Sequence, residues 1–273
     1  MEQKLLFVAG TRPEVIKLAP VYHAARKELP CIHSIWLSTG QHREISQAAL
    51  NAFEIVPDID LDVMRPNQSL PDLASTVMKR FNAILDQINP GMVVVQGDTT
   101  TAMTAAVCSY YRKVSVAHVE AGLRSFDLDH PYPEEANRRL ISIVARLHFA
   151  PTRRAADNLL SEGLDAGKVR VTGNTVIDAL LRLPPRVTAS TQPLVPRLRA
   201  GQRLILVTSH RREAWGSELS GICRALMRLR DEFADAVVVY PVHPNPNVRA
   251  IVMTLLGNQE RIHLVEPLDY FDF

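Results

Sequence analysis

Three carboxylates and one histidine are the residues whose types and positions most favour chemistry. Asp98 and Glu120 each follow an apolar run, Glu134 opens a helical pattern after two prolines, and His210 follows a later apolar run. Carboxylates and histidine suit general acid–base catalysis. Three of the four also have a structural alternative: Asp98 as a helix N-cap, Glu134 as a partner of a helix dipole, and His210 as a surface histidine.

The segment Gly10–Glu14 indicates an anion site after the first apolar run. Gly10 permits a tight turn, and the proline that follows Arg12 suits the start of a helix. Arg12 and Lys17 would add positive charge to that helix N-terminus, which suits a phosphate group. The alternative is that Arg12 and Glu14 form a solvated pair on a loop.

The elements that must position these residues alternate along the chain. Apolar runs predict strands at Leu5–Ala9, Ser34–Ser38, Met92–Gln96, Val114–Val119, Leu147–Ala150 and Val169–Thr172. Helical spacing of apolar residues predicts helices at Glu14–Leu29, Ser69–Ile88, Thr100–Arg112, Glu134–Arg146 and Arg153–Glu162. This alternation predicts an α/β fold with a parallel sheet that has helices on both faces.

A proline-rich passage, residues 183–203, predicts a linker between an N-terminal domain, residues 1–182, and a partial C-terminal domain, residues 204–273. The second domain restarts the alternation with strands Leu204–Thr208, Ala236–Tyr240 and Arg261–Val265 and helices Ser217–Glu232 and Asn247–Leu256. His243 ends its second strand in a rigid, proline-rich loop. Ligands bind beyond the carboxyl ends of such strands, so we expect the polar segments of both domains to converge on one cleft.

Composition excludes several classes of protein. The chain has 273 residues, 47% hydrophobic and 22% charged, with a formal net charge of +2, so its bulk charge does not favour nucleic acid or membrane. Three distant cysteines in apolar surroundings predict buried thiols in a reducing, cytoplasmic compartment. No metal-ligand spacing, phosphate-binding Walker loop or dinucleotide glycine fingerprint occurs, so no metal or cofactor is expected.

Six motifs, in this order, resemble non-hydrolysing UDP-N-acetylglucosamine 2-epimerases along essentially the whole chain. They are Gly10–Glu14, Gln96–Thr100, His118–Arg124, Pro133–Arg138, His210–Glu213 and Pro267–Tyr270. The resemblance implies two Rossmann-like domains of the glycosyltransferase-B type and a homodimer. It also implies interconversion of UDP-N-acetylglucosamine (UDP-GlcNAc) and UDP-N-acetylmannosamine (UDP-ManNAc) for cell-surface polysaccharide synthesis.

The resemblance also implies residue roles. Substrate binding falls to Arg12, Lys17, His243 and Phe273; acid–base or allied roles fall to Asp98, Glu120, Glu134 and His210; and a regulatory UDP-GlcNAc site falls to Gln41, His42 and Gln68. The family continues for roughly a further hundred residues, about a small domain, so the second domain is expected to be incomplete. The phosphate-binding serine-glycine-glycine loop of the family lies in that further part.

Elimination explains why such residues suit inversion at C2, whose proton is not adjacent to a carbonyl. One carboxylate takes the proton as UDP leaves C1, and the resulting 2-acetamidoglucal is reprotonated on the other face during readdition. Asp98 and Glu134 are the candidates for these transfers, with Glu120 tuning their pKa or binding the sugar. The alternatives are a UDP-sugar glycosyltransferase of the same fold, a hydrolysing epimerase, and an inactive binding or assembly fragment.

Overall fold

The computed structural model describes residues 3–40, 43–65, 68–182, 196–209 and 217–268. The chain divides into two compact units, Met1–Pro184 and Pro185–Phe273. Each unit contains a parallel β-sheet with helices, of seven strands in the first and three in the second. The predicted fold class, two Rossmann-like α/β domains, is therefore confirmed.

The first unit holds the larger sheet. Its strands are β1 (Gln3–Ala9), β2 (Ile32–Ser38), β3 (Ile59–Asp60), β4 (Met92–Gln96), β5 (Ser115–Val119), β6 (Leu147–Ala150) and β7 (Val169–Val171). Their order is β3-β2-β1-β4-β5-β6-β7, and all pairs are parallel. The direction of winding reverses between β1 and β4, which is where sheets of this type form a ligand crevice.

Helices cover both faces of this sheet. They are α1 (Arg12–Glu28), α2 (Arg43–Ala52), α3 (Leu70–Ile88), α4 (Thr100–Tyr111), α5 (Glu134–Val144), α6 (Arg153–Ser161) and α7 (Thr175–Arg182), with a 3-10 turn at Ala166–Lys168. On one face, the buried side of α3 contributes Val77 and Phe81 to the main core. On the other face, Tyr22 of α1 packs edge-on against Phe7 and Trp36 at 5.4 and 5.2 Å. Burial on both faces explains the uninterrupted apolar runs of β1 and β4.

The second unit is smaller. It contains β8 (Arg203–Leu206), α8 (Ser217–Glu232), β9 (Ala236–Pro241), α9 (Pro246–Leu256) and β10 (Ile262–Val265). The strands are parallel in the order β10-β9-β8. The central strand β9 is buried along most of its length, and its Tyr240 packs with Leu219, Cys223 and Val252 in a separate core.

The structure corrects and extends the sequence predictions. Cys31 is exposed, so the prediction of a buried thiol is wrong there, whereas Cys108 and Cys223 are buried and unpaired. Cys31 follows Pro30 in the turn that precedes β2, where its apolar neighbours do not enclose it. Three further elements, α2, β3 and α7, were not predicted.

Candidate active site

The turn between β1 and α1 is held by a buried carboxylate. Glu14 is 1% exposed, and its Oε2 accepts hydrogen bonds from the backbone N–H groups of Gly10 at 2.9 Å and Thr11 at 2.6 Å. Burial raises the pKa of Glu14, although these hydrogen bonds and one from Thr99 oppose that change. Glu14 is therefore not part of a solvated pair, whereas Arg12, in the first turn of α1, is exposed.

The loop between β4 and α4 carries Asp98 beside the cap of the helix. Thr99 is the N-cap of α4, since its hydroxyl accepts from Ala102 N at 3.0 Å; the alternative of Asp98 as the cap is therefore wrong. The Asp98 carboxylate instead accepts from Arg138 Nε at 2.8 Å. Asp98 is 31% exposed, so this ion pair leaves part of the carboxylate accessible.

Glu120 follows β5 and makes a dense set of contacts. Lys17 Nζ lies 2.8 and 2.6 Å from its two oxygens, Asn174 Nδ2 donates to Oε1 at 2.9 Å, and Gln96 Nε2 donates to Oε2. The backbone of Glu120 has φ of 65°, in the left-handed region that residues other than glycine seldom adopt. Lys17 therefore faces a carboxylate in this structure, and its predicted role in binding substrate stays a prediction.

The first turn of α5 contains two carboxylates in different settings. Glu135 is fully buried and accepts from Ser125 N at 3.0 Å, Phe126 N at 3.3 Å, Arg138 at 2.8 Å and Arg139 at 3.1 Å. Burial alone would raise its pKa, but these donors bring the pKa of Glu135 below its usual value. By contrast, Oε2 of the neighbouring Glu134 is buried and has no hydrogen-bond partner among the described residues.

Arg138 joins these groups into one network. Its guanidinium contacts both Asp98 and Glu135, and the adjacent Asn137 donates to the backbone oxygen of Asp98 at 2.8 Å. Because β4 and β5 are neighbouring parallel strands, Asp98 and Glu120, which follow them, lie at the same carboxyl-terminal end of the sheet. Asp98, Glu120 and the start of α5, with Glu134, therefore form one rim, which we call the carboxylate rim.

Two buried histidines support the rim from within the sheet. His118 and His148 lie opposite each other on β5 and β6, 0% and 1% exposed. His118 Nε2 lies 2.8 Å from the carbonyl oxygen of Gly97, so it donates to the turn that precedes Asp98. Burial lowers the pKa of His118 to about 3 and that of His148 to about 4. His118 stands in one of the six motifs, but its residue type and position did not predict a role for it.

The remaining candidate residues are only partly described. Half-buried His243 follows β9, and its Nδ1 accepts from Asn245 N at 3.1 Å, which leaves Nε2 as the protonated nitrogen. Oε1 of Gln68 is buried, with no partner among the described residues. The other four candidates lie outside the described residues: Gln41, His42, His210 and Phe273.

Two further features are absent from the described part of the chain. No group of three or more His, Cys, Asp or Glu side chains is arranged to hold a metal ion there. None of the helices described is both long and apolar enough to cross a membrane.

The three carboxylates of the rim differ in their contacts. Glu134 has a buried oxygen with no hydrogen-bond partner in the described part of the chain, Asp98 has a partly accessible carboxylate, and the carboxylate of Glu120 is fixed by three donors. Exposed Arg12 at the N-terminus of α1 adds positive charge beside the neighbouring strand β1. Such an arrangement suits acid–base chemistry on a substrate that carries an anionic leaving group.

Comparisons with known proteins agree on one family. A family model described as UDP-N-acetylglucosamine 2-epimerase matches residues 24–273. A probable UDP-N-acetylglucosamine 2-epimerase of Ralstonia nicotianae is 45% identical over 277 residues, which covers 99% of this chain and 74% of that protein. The UDP-N-acetylglucosamine 2-epimerase of Salmonella typhimurium is 44% identical over 276 residues, with 99% and 73% covered. The crystal structure of UDP-GlcNAc 2-epimerase from Neisseria meningitidis bound to UDP-GlcNAc has a TM-score of 0.87 and 41% identity, and covers 99% of this chain and 74% of that one.

Proposed function

The chain belongs to the UDP-N-acetylglucosamine 2-epimerase family of non-hydrolysing isomerases, and we propose that it interconverts UDP-GlcNAc and UDP-ManNAc by inverting C2. The observation that carries this proposal is the carboxylate rim, in which Asp98 and Glu120 follow neighbouring strands and Glu134 begins the helix whose Arg138 binds Asp98. The product would serve the synthesis of cell-surface polysaccharides.

The reaction proceeds by elimination and readdition. A rim carboxylate removes the C2 proton, the electrons of the C–H bond form a C1–C2 double bond, and the C1–O bond breaks with release of UDP. The intermediate is 2-acetamidoglucal. Readdition of UDP at C1, with protonation of C2 on the opposite face, gives the epimer, so no oxidant or reductant is consumed.

The contacts of the three carboxylates favour different roles. Glu134 and Asp98 are the proton-transfer groups, because Glu134 has an oxygen that no described residue binds and Asp98 remains partly accessible. Glu120 is fixed by Lys17, Gln96 and Asn174, which suits it to orient the sugar rather than to exchange a proton. Arg12, His210, His243 and Phe273 would bind the departing UDP, and Gln41, His42 and Gln68 a regulatory UDP-GlcNAc.

Organisation, oligomeric state and location are part of the same proposal. Residues 183–203 would link a domain of residues 1–182 to one of residues 204–273. The protein would act as a homodimer, which size-exclusion chromatography with light scattering tests directly. A cytoplasmic location is supported by the free thiols of Cys31, Cys108 and Cys223, which suit a reducing compartment.

Deuterium exchange at C2 tests the proposed reaction. The protein is incubated with UDP-GlcNAc in deuterated water, and the C2 proton is followed by NMR. We expect deuterium at C2 and formation of UDP-ManNAc. Because each residue performs a proton transfer, Asp98→Asn and Glu134→Gln should each slow the exchange by about 100-fold or more. Asp157→Asn, which changes an exposed carboxylate on α6, is the control and should leave the rate unchanged.

The products separate the alternatives. Accumulation of free N-acetylmannosamine would identify a hydrolysing enzyme, and transfer of the sugar to an added acceptor without exchange at C2 would identify a glycosyltransferase. Folded wild-type protein that catalyses no exchange at C2 would contradict the proposal.

A further inference from the structure

A partly buried hydrogen bond joins the β1–α1 turn to the β4–α4 loop, where the winding of the large sheet reverses. Thr99 Oγ1, at the N-cap of α4, donates to Glu14 Oε1, in the first turn of α1, at 2.6 Å. Glu14 is 1% exposed and Thr99 is half-buried, so the acceptor of this bond is shielded from water. A charge-assisted O–H···O bond of this length is among the stronger types found in proteins.

Each partner of the bond also makes hydrogen bonds within its own loop. The other oxygen of Glu14 accepts the N–H groups of Gly10 and Thr11, which defines the turn before Arg12. The hydroxyl of Thr99 also accepts from Ala102 N and so caps α4. Tightening or loosening the bond must therefore move one helix N-terminus relative to the other.

We propose that Glu14 is a positioning residue, which through Thr99 fixes the Asp98 loop relative to the Arg12 turn. The inference rests on the proposed function, in which Asp98 transfers a proton and Arg12 binds the leaving diphosphate. Asp98 is adjacent to Thr99 in sequence. Its carboxylate accepts from Arg138 of α5, and its backbone oxygen accepts from Asn137. The bond from Thr99 to Glu14 fixes the same loop to α1.

Removing the Thr99 hydroxyl separates positioning from binding. Thr99→Val keeps the shape of the side chain, and Glu14 retains its bonds to Gly10 and Thr11, so the Arg12 turn stays intact. We expect kcat to fall by about 10- to 100-fold, since displacement of a catalytic group by about 1 Å has effects of that size. The affinity for UDP, measured by calorimetry, should change less than about threefold, because the Arg12 turn is intact.

Thr152→Val is the matched control. Thr152 caps α6 through a bond from Ala155 N at 3.1 Å and follows β6, which is two strands away from β4. It loses the same type of cap, so it reports the cost of the lost cap on stability and should leave kcat within about twofold of wild type. Thr99→Ser, which restores the hydroxyl, should recover most of the lost activity.

A double-mutant cycle gives a second test if Thr99→Val yields too little folded protein. In Glu14→Gln the amide NH2 group faces Thr99 Oγ1 and donates to it, so a neutral bond of reversed direction replaces the stronger bond to a carboxylate. We expect kcat to fall by about fivefold or more at unchanged UDP affinity, and the double variant to lose no more than the worse single variant.

The outcomes distinguish this inference from the proposed function. Wild-type activity in Glu14→Gln, equal kcat values for Thr99→Val and Thr152→Val, or multiplicative losses in the cycle would overturn the positioning role while the epimerase activity stands. Absence of C2 exchange in the wild-type protein would instead overturn the proposed function.

Discussion

The charged residues of the two units are used in different ways. In the first unit, carboxylates such as Glu14 and Glu135 are buried and accept three or four hydrogen bonds each. In the described part of the second unit, the pairs Arg203–Asp235 and Arg249–Glu266 have side chains that are 40% exposed or more. Both sheets have an apolar core, but buried carboxylates hold loops of the first unit, whereas these ion pairs of the second unit lie at its surface.

This difference has a functional meaning. Proton transfer requires groups held within fractions of an ångström, and buried networks with every member satisfied provide that rigidity. The carboxylate rim lies on such a network through Arg138 and Thr99. Surface ion pairs hold their partners more loosely and add little to stability.

Glycine substitution should give the largest contrast between the units. Gly122 lies two residues after Glu120 with φ of 86°, and a Cβ there would lie 2.1 Å from the backbone oxygen of Ala155. Gly122→Ala should lower the free energy of unfolding by about 3–5 kcal/mol, since backbone strain and overpacking add. Gly201, with φ of 84°, has no described atom within 4 Å of the same position, so Gly201→Ala should cost only about 1–2 kcal/mol. Urea denaturation followed by circular dichroism measures both, and equal losses would contradict the packing argument.

Removing one buried charge should give the next largest effect. Glu135→Gln leaves Arg138, Arg139 and two backbone N–H groups without a full acceptor, and we expect a loss of about 3 kcal/mol in the free energy of unfolding. Glu266→Gln is the matched control in the second unit, where the ion pair with Arg249 is exposed, and it should not shift the urea midpoint measurably. A shift of the same size in both variants would break the comparison between the units.

Acid should weaken the first unit through His118. In the folded state burial lowers its pKa to about 3, whereas an unfolded histidine has a pKa of about 6.5. Between these values the unfolded state binds the extra proton, so stability is present above pH 6.5 and is lost as the pH falls. At pH 5 the loss is about 2 kcal/mol relative to pH 7. His118→Gln, which keeps a donor for Gly97, should reduce this loss in urea titrations at the two pH values. An unchanged pH dependence would show that other groups are responsible.

The sequence predicted most of the scaffold because its signals are local. Apolar runs bounded by turn residues located the longer strands, and β4 and β6 agree with their predicted limits. The two-residue strand β3 and the short helix α7 were missed, since segments of this length carry little periodicity. Cys31 was misplaced because apolar neighbours in sequence do not ensure burial in space.

The candidate site was predicted in its residue types but not in its contacts. Nothing in the sequence distinguishes Glu134 from Glu135, yet Glu134 has an oxygen without a partner among the residues described, and Glu135 accepts four hydrogen bonds. The Lys17–Glu120 pair joins residues 103 positions apart, and the Glu14–Thr99 bond joins residues 85 apart. Contacts between residues so far apart in sequence can be identified only once the order and pairing of the strands are known.

Glu120 is a position where selection for stability and selection for function oppose each other. Its left-handed backbone conformation favours glycine or asparagine, and either would relieve local strain. A design procedure that optimises folding alone would therefore replace it and discard the carboxylate that holds Lys17 and Asn174. Efforts to engineer a more heat-resistant form of this protein should keep residue 120 unchanged and seek their gains elsewhere.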